Sequence, residues 1–168
     1  QLQLLNARGR ELNSLSPAVY SFQALCNIQS ATPGVTRAEP MVELRRHFSG
    51  KPHLLYRMRA FVTDGCRQVW KEMSDGSAIA ELELAVSETA GNVILHGLKG
   101  SPDELIELVL NIDPRSASVT FRYSGCGFEP QAIPPPDFSG HAESGYGIYL
   151  IEHSVDDVSF SRDDAGLC

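Results

Sequence analysis

Within the stretch SETAGNVILHG, residues 87–97, Glu88, Asn92 and His96 follow one another at four-residue steps. The apolar spacing around them is helical, so the three share one side of a helix. A carboxylate and, one turn on, an amide oxygen are donors suited to a hard cation such as Mg²⁺, which keeps several waters and takes further oxygens from phosphates. The carboxylate is also suited to orienting or deprotonating an attacking hydroxyl. The plain alternative is a solvated helix face, with His96 helping to end the helix near Gly97. Two glycine pairs follow, SGCGFEP at 124–130 and SGYGIYLIEH at 144–153. Either pair alone marks any tight turn. The second leads directly into an apolar helix, whose free N–H groups and positive dipole end favour an anion such as a phosphate.

These residues need elements to hold them. MVELRRHF reads as a strand ending at the turn SGKP, and Pro52 suits the first position of a helix running to about Met73. In that helix Leu55, Met58, Val62, Cys66, Val69 and Met73 recur at three and four residues and form one buried face. A second helix, from about Ala78 to Leu98, buries Ile79, Leu82, Val86, Ala90 and Val93 in the same way and carries the polar stripe. DELIELVLNID and SVTFRY, joined at PRSA, form an antiparallel pair with Pro114 in the turn. The Gly- and Pro-rich segment from Ser124 to Ser144 reads as a loop, and the run Pro134, Pro135 and Pro136 makes Glu129 to Ser144 an irregular, mobile lid. YGIYLIEHSV is a short buried helix and DDVSFSR a last strand. The order strand, helix, helix, strand, strand, helix, strand predicts a two-layer α/β sandwich of the α+β kind, with helices on one face of a mostly antiparallel sheet. Residues 1–40 read as an appendage, one or two helices broken at Ser16-Pro17 followed by the linker TPGVTRAEP, and residues 41–168 as the domain proper.

A chain of 168 residues, 42% hydrophobic, suffices for one cored domain. A formal charge of -7 offers no basic field for a phosphate backbone, so nucleic acid is not an expected partner. Cys26, Cys66, Cys126 and Cys168 form no C-x-x-C pair and read as reduced thiols of a cytoplasmic protein. No apolar run reaches the roughly 18 residues of a membrane span, and no signal peptide opens the chain, so no membrane role is expected. The start at Gln1 suggests a piece of a longer protein.

Taken together, Glu88-x-x-x-Asn92, Gly125-x-Gly127 and Gly145-x-Gly147 with its helix resemble the Bergerat-fold (GHKL) ATPase and kinase superfamily. LAVSETAGNVILHGLKG, GFEP and GYGIYLIEHSVDDVSF resemble, more narrowly, its anti-sigma-factor serine kinases, over roughly residues 40–165. The resemblance implies an ATP site in which Glu88 is the general base and Asn92 the Mg²⁺ ligand. It further implies nucleotide contacts from Lys99, Tyr123, Gly125, Gly127, Gly145, Tyr146 and Gly147. The partners implied are an anti-anti-sigma (STAS-type) protein and a sigma factor or other regulator, and a homodimer is open to the chain. For Lys99 a solvated helix end is an equal alternative.

Two features depart from the family pattern. Where the first glycine motif normally begins with an adenine-binding aspartate, this chain has Tyr123. Losing a hydrogen bond to a charged acceptor, roughly 1.5–3 kcal/mol, weakens binding about 10- to 100-fold. The ring can also take up the adenine space. No Lys or Arg lies between Arg122 and Arg162, so backbone amides alone cover the phosphates there. After the DDVSF strand only a few residues remain, so the family's final strand is either cut short or lies beyond Cys168. The alternatives are therefore a kinase with a changed base anchor, a nucleotide-binding-deficient partner-binding module, and a histidine-kinase catalytic domain. The short gap between glycine motifs and GFEP speak against the last.

Overall fold

A computed structural model describes residues 19–27, 41–70, 76–98, 101, 103–125 and 146–163. Its strands are β1 (Val19–Asn27), β2 (Val42–Ser49), β3 (Leu105–Ile112), β4 (Ser116–Ser124) and β5 (Asp157–Asp163). Its helices are α1 (Leu55–Trp70), α2 (Ser77–Asn92) and α3 (Tyr146–Ser154). A 3-10 turn, Pro52–Leu54, leads into α1, and a π-helical turn, Val93–Gly97, continues α2. The sheet order is β2-β3-β4-β1-β5, and every pairing is antiparallel. The expected α+β sandwich is borne out.

Alternation explains the strands. In β4, Ala117, Val119, Phe121 and Tyr123 are buried, while the residues between them are half-buried or exposed. Ile106, Leu108, Leu110 and Ile112 of β3 lie on the same inner face. Helix α1 covers it closely: a Cβ added at Gly65 would stand 2.6 Å from Leu110 Cδ2, so only glycine permits this approach. Trp70, fully buried at the end of α1, donates from Nε1 to the Asp113 carbonyl at 2.8 Å and ties the helix to the β3–β4 turn. The Asp113 carboxylate fixes that turn by accepting from the N–H groups of Arg115 and Ser116 at 2.6 and 2.8 Å. Burial alone would raise its pKa, but these bonds and the Ser116 hydroxyl outweigh burial and hold it below the usual range.

The helical reading of residues 1–40 is corrected where the structure describes it. Val19–Asn27 is a strand inside the sheet, hydrogen-bonded to β4 over Val19–Asn27 and to β5 over Val19–Leu25. Phe22, Ala24 and Cys26 point into the core, and Phe22 meets Phe121 and Phe160 with ring centroids 5.9 and 5.0 Å apart. Good helix formers such as Leu25 and Ala24 suggested a helix, but propensity is a weak prior and sheet pairing overrides it. The rest of residues 1–40, and the lid from 129 to 144, lie outside the described residues. No helix among the described residues is long and apolar enough to cross a membrane.

Candidate functional site: a carboxylate–amide pair facing a glycine helix

Helix α2 has an inner face of Ala78, Ile79, Leu82, Ala85, Val86, Thr89 and Ala90, which fixes its rotation on the sheet. That rotation leaves Glu88 and Asn92 half-buried on the flank toward α3, which packs against α2. Gly147, the second residue of α3, stands directly opposite. A Cβ built there would lie 3.1 Å from Glu88 Oε2, 3.5 Å from Asn92 Nδ2 and 3.7 Å from Asn92 Oδ1. The four-residue step therefore does aim both polar groups at the glycine helix. The first turn of α3 also supplies a positive dipole end beside the carboxylate.

The donor set suits a hydrated Mg²⁺ with phosphate. Asn92 Nδ2 is buried and has no hydrogen-bond partner among the described residues, and the missing Cβ of Gly147 lets α3 approach the Glu88 and Asn92 groups closely. Among the described residues no cluster of three or more His, Cys, Asp or Glu could hold a metal by protein ligands alone. A cation here would depend on water and phosphate oxygens for most of its shell.

A second group of the sequence-derived residues gathers farther along. Tyr123, at the end of β4, is 5% exposed, and its ring packs against the last residue of the π-turn: a Cβ on Gly97 would meet Tyr123 Cε2 at 2.6 Å and the phenol oxygen at 3.0 Å. Gly125 abuts the same place, since its Cβ would fall 2.4 Å from the Gly97 carbonyl oxygen. Gly97 lies five residues beyond Asn92, about 7–8 Å along a helical rise. Sequence reading treated Gly97 as the end of a helix and missed its contact with the first glycine motif. Two glycines that permit backbone-to-backbone approach cannot be paired without the fold. His96 is exposed, and Tyr146 begins α3 half-buried. Lys99, Gly127 and Gly145 lie outside the described residues.

Comparison with known proteins places this geometry. The sequence model of the family described as "Histidine kinase-like ATPase domain" matches residues 48–168. Among curated relatives, the serine-protein kinase RsbW of Listeria monocytogenes is 34% identical over 95 residues, covering 52% of this chain and 60% of that protein. The anti-sigma F factors of Halalkalibacterium halodurans and Bacillus cytotoxicus are 30% and 26% identical over 84 and 91 residues. These matches cover 48% and 52% of this chain and 58% and 62% of the relatives. The chain thus spans about three-fifths of the length of the curated relatives it matches. Strand β1 precedes the matched region, although it lies between two strands within it. The resemblance in the polar stripe and glycine motifs is borne out, both for the superfamily and for its anti-sigma kinase group. With a match over most of its length, an antiparallel sheet under three helices, and an acid and amide one turn apart facing a glycine helix, the chain belongs to the histidine kinase-like ATPase domain family.

Proposed function

We propose that this chain is a bacterial, cytoplasmic partner-switching regulator: an ATP- and Mg²⁺-dependent protein serine kinase of the anti-sigma type. It would phosphorylate an anti-anti-sigma (STAS-type) partner and restrain a sigma factor. The observation that carries the proposal is the convergence of Glu88 Oε2 and the Asn92 amide on Gly147. Asn92 Oδ1 is the oxygen ligand that would hold the cation, which when bound neutralises phosphate charge. Glu88 orients the partner's serine hydroxyl and accepts its proton. The first-turn amides of α3 bind phosphate oxygens. Lys99, Gly127, Gly145 and Tyr146 belong to the same proposal as flanking contacts. Such a site works by positioning more than by covalent chemistry.

A second reading has its own observation. The buried ring of Tyr123 against Gly97 takes the place of the base-anchoring aspartate, which favours a module that regulates by protein contact alone. Thermal unfolding with millimolar ATP, with and without Mg²⁺, separates the two. A ligand at 100 times its Kd stabilises by about 2.7 kcal/mol. The expected result is a weak shift in the natural chain, a larger one in Tyr123→Asp, and loss of the Mg²⁺-dependent part when Asn92→Ala is added. The kinase reading further expects transfer of the γ-phosphoryl group to a STAS-type protein, abolished by Glu88→Gln. No shift in either the natural chain or Tyr123→Asp would leave only the protein-binding module.

A further inference from the structure

Hydroxyls inside the helices of this chain have a usual habit. Thr63 and Ser87 donate to the carbonyls of Ala60 and Glu83 at 3.3 and 2.8 Å, and Ser154 donates to Leu150 at 2.6 Å. Each bonds back to the preceding turn, the ordinary way for a helical Ser or Thr to satisfy itself. Thr89 does not. It is 0% exposed, and its Oγ1 has no hydrogen-bond partner among the described residues. Three residues on, Asn92 Nδ2 is also buried and unpartnered. Residues at that spacing share one side of a helix, with Cβ atoms about 5–6 Å apart. Helix α2 therefore carries these two polar atoms on neighbouring positions, Thr89 on its inner face and Asn92 on the flank of the site. One can only donate and the other can accept. Buried groups of this kind are uncommon because leaving them unpaired is costly, and each calls for a reason.

We infer that Thr89 is a positioning residue for Asn92, an inference that rests on the reading of Asn92 as a cation ligand. When Asn92 Oδ1 turns to a hard cation, its NH₂ group must turn toward the protein, and Thr89 Oγ1 is the acceptor at the matching helical step. The Thr89 hydroxyl then donates to the Ala85 carbonyl one turn back, the bond that the other helical hydroxyls already make. Loading the site satisfies both atoms and leaves the amide a single orientation. Neither atom has another partner among the described residues, so on this inference their cost falls on the fold without the cation and is relieved on binding. A threonine that merely packs in the core would show no such opposition between stability and binding.

Thr89→Val in the full chain tests this, because it removes the hydroxyl while keeping a β-branched side chain. The ligand-free Tm is expected to rise by about 2–4 °C, the shift typical of a modest stabilisation in a chain of this length. At fixed millimolar ATP, the Mg²⁺ concentration giving half of the thermal shift is expected to rise about 10-fold, the low end for losing a residue that orients a metal ligand. Thr89→Ser is expected to restore the natural Mg²⁺ midpoint. A lower ligand-free Tm in Thr89→Val would overturn the inference by revealing a structural partner for the hydroxyl. A natural Mg²⁺ midpoint in Thr89→Val would overturn the role of Thr89 alone. Absence of any Mg²⁺-dependent shift in both the natural chain and Tyr123→Asp would overturn the reading of Asn92 as a ligand, and the positioning role with it.

Discussion

The two halves of the site are built in opposite ways. Around Gly147 the contacts are the far ends of polar side chains, Glu88 Oε2 and the Asn92 amide, whose buried Nδ2 has no partner among the described residues. Around Gly97 the contacts are the Tyr123 ring and, against the Gly97 carbonyl, the backbone of Gly125, which leaves no room for a side chain on either glycine. In the proposed reading the first half carries the groups that a phosphate and cation need, among them buried polar atoms with no partner among the described residues. The second has gained packing in the position where a base anchor is expected. The two halves depend on different elements, α2 with α3 and β4 with the π-turn, so the proposed reading lets the charge-handling half stay while the shape of the other half changes.

Substitutions at the glycines put this contrast at risk most directly. Gly125→Ala should have the largest effect, since its Cβ would fall 2.4 Å from the Gly97 carbonyl oxygen and backbone cannot step aside. Overpacking of this kind costs about 1–3 kcal/mol, read as a clear fall in Tm. Gly97→Ala should cost nearly as much, but against the Tyr123 ring, so Tyr123→Leu should recover much of the loss. The same Tyr123→Leu should not rescue Gly125→Ala. Additive behaviour of Gly97→Ala and Tyr123→Leu in a double-mutant cycle would break the description of this half as tightly filled.

Gly147→Ala should do less to stability. Its Cβ would sit 3.1 Å from a carboxylate oxygen that can swing away, and alanine gains up to about 1 kcal/mol over glycine in a helix. The expected Tm change is close to zero, with any Mg²⁺-dependent response to ATP lost because the added methyl displaces the Glu88 and Asn92 groups. A drop in Tm as large as that of Gly97→Ala would erase the difference between the two halves.

The smallest effect at ordinary pH concerns the core beneath both halves. Burial pushes the Cys66 thiol from 9.0 up to about 12, and Cys26 adds to the shift. Burial likewise raises Cys26 to about 11, helped by Asp156 and Glu81. The folded chain therefore holds these protons more tightly than the unfolded chain. The resulting stability is fully present below about pH 9 and is lost as pH rises through the folded values. The urea midpoint should be flat to pH 9 and fall by pH 10.5, with a shallower fall in Cys66→Ala. An identical fall in that variant would show that other groups govern the alkaline limb.

How legible the molecule was depended on whether the signal was local. The period of α1, the alternation of β3 and β4 and the polar stripe of α2 are each contained in fewer than about 20 residues, and helical or strand geometry alone converts them into faces. That is why Glu88 and Asn92 could be set on one flank of α2 and directed at the second glycine motif. Gly97 and Thr89 gave no such signal. One matters because a ring from β4 arrives beside it, and the other because no partner does.

Strand β1 marks the boundary between the two kinds of information. Phe22, Ala24 and Cys26 alternate with Ser21, Gln23 and Leu25 as a strand requires, yet Ala, Leu and Gln are also helix formers, and the segment alone permits either state. What decided it is the gap between β4 and β5, strands that do not pair with each other and whose edges are both filled by Val19–Asn27 and its neighbours in register. Asp156 completes the arrangement by donating its N–H to the Leu25 carbonyl and accepting from the Asn27 N–H. The sequence by itself determined the chemistry-bearing helix and its partner motif, because periodicity and residue type are properties of a short segment. Only the tertiary structure decided that an N-terminal segment completes the sheet and that Tyr123 closes on Gly97, because both are set by pairing and packing between residues far apart in the chain.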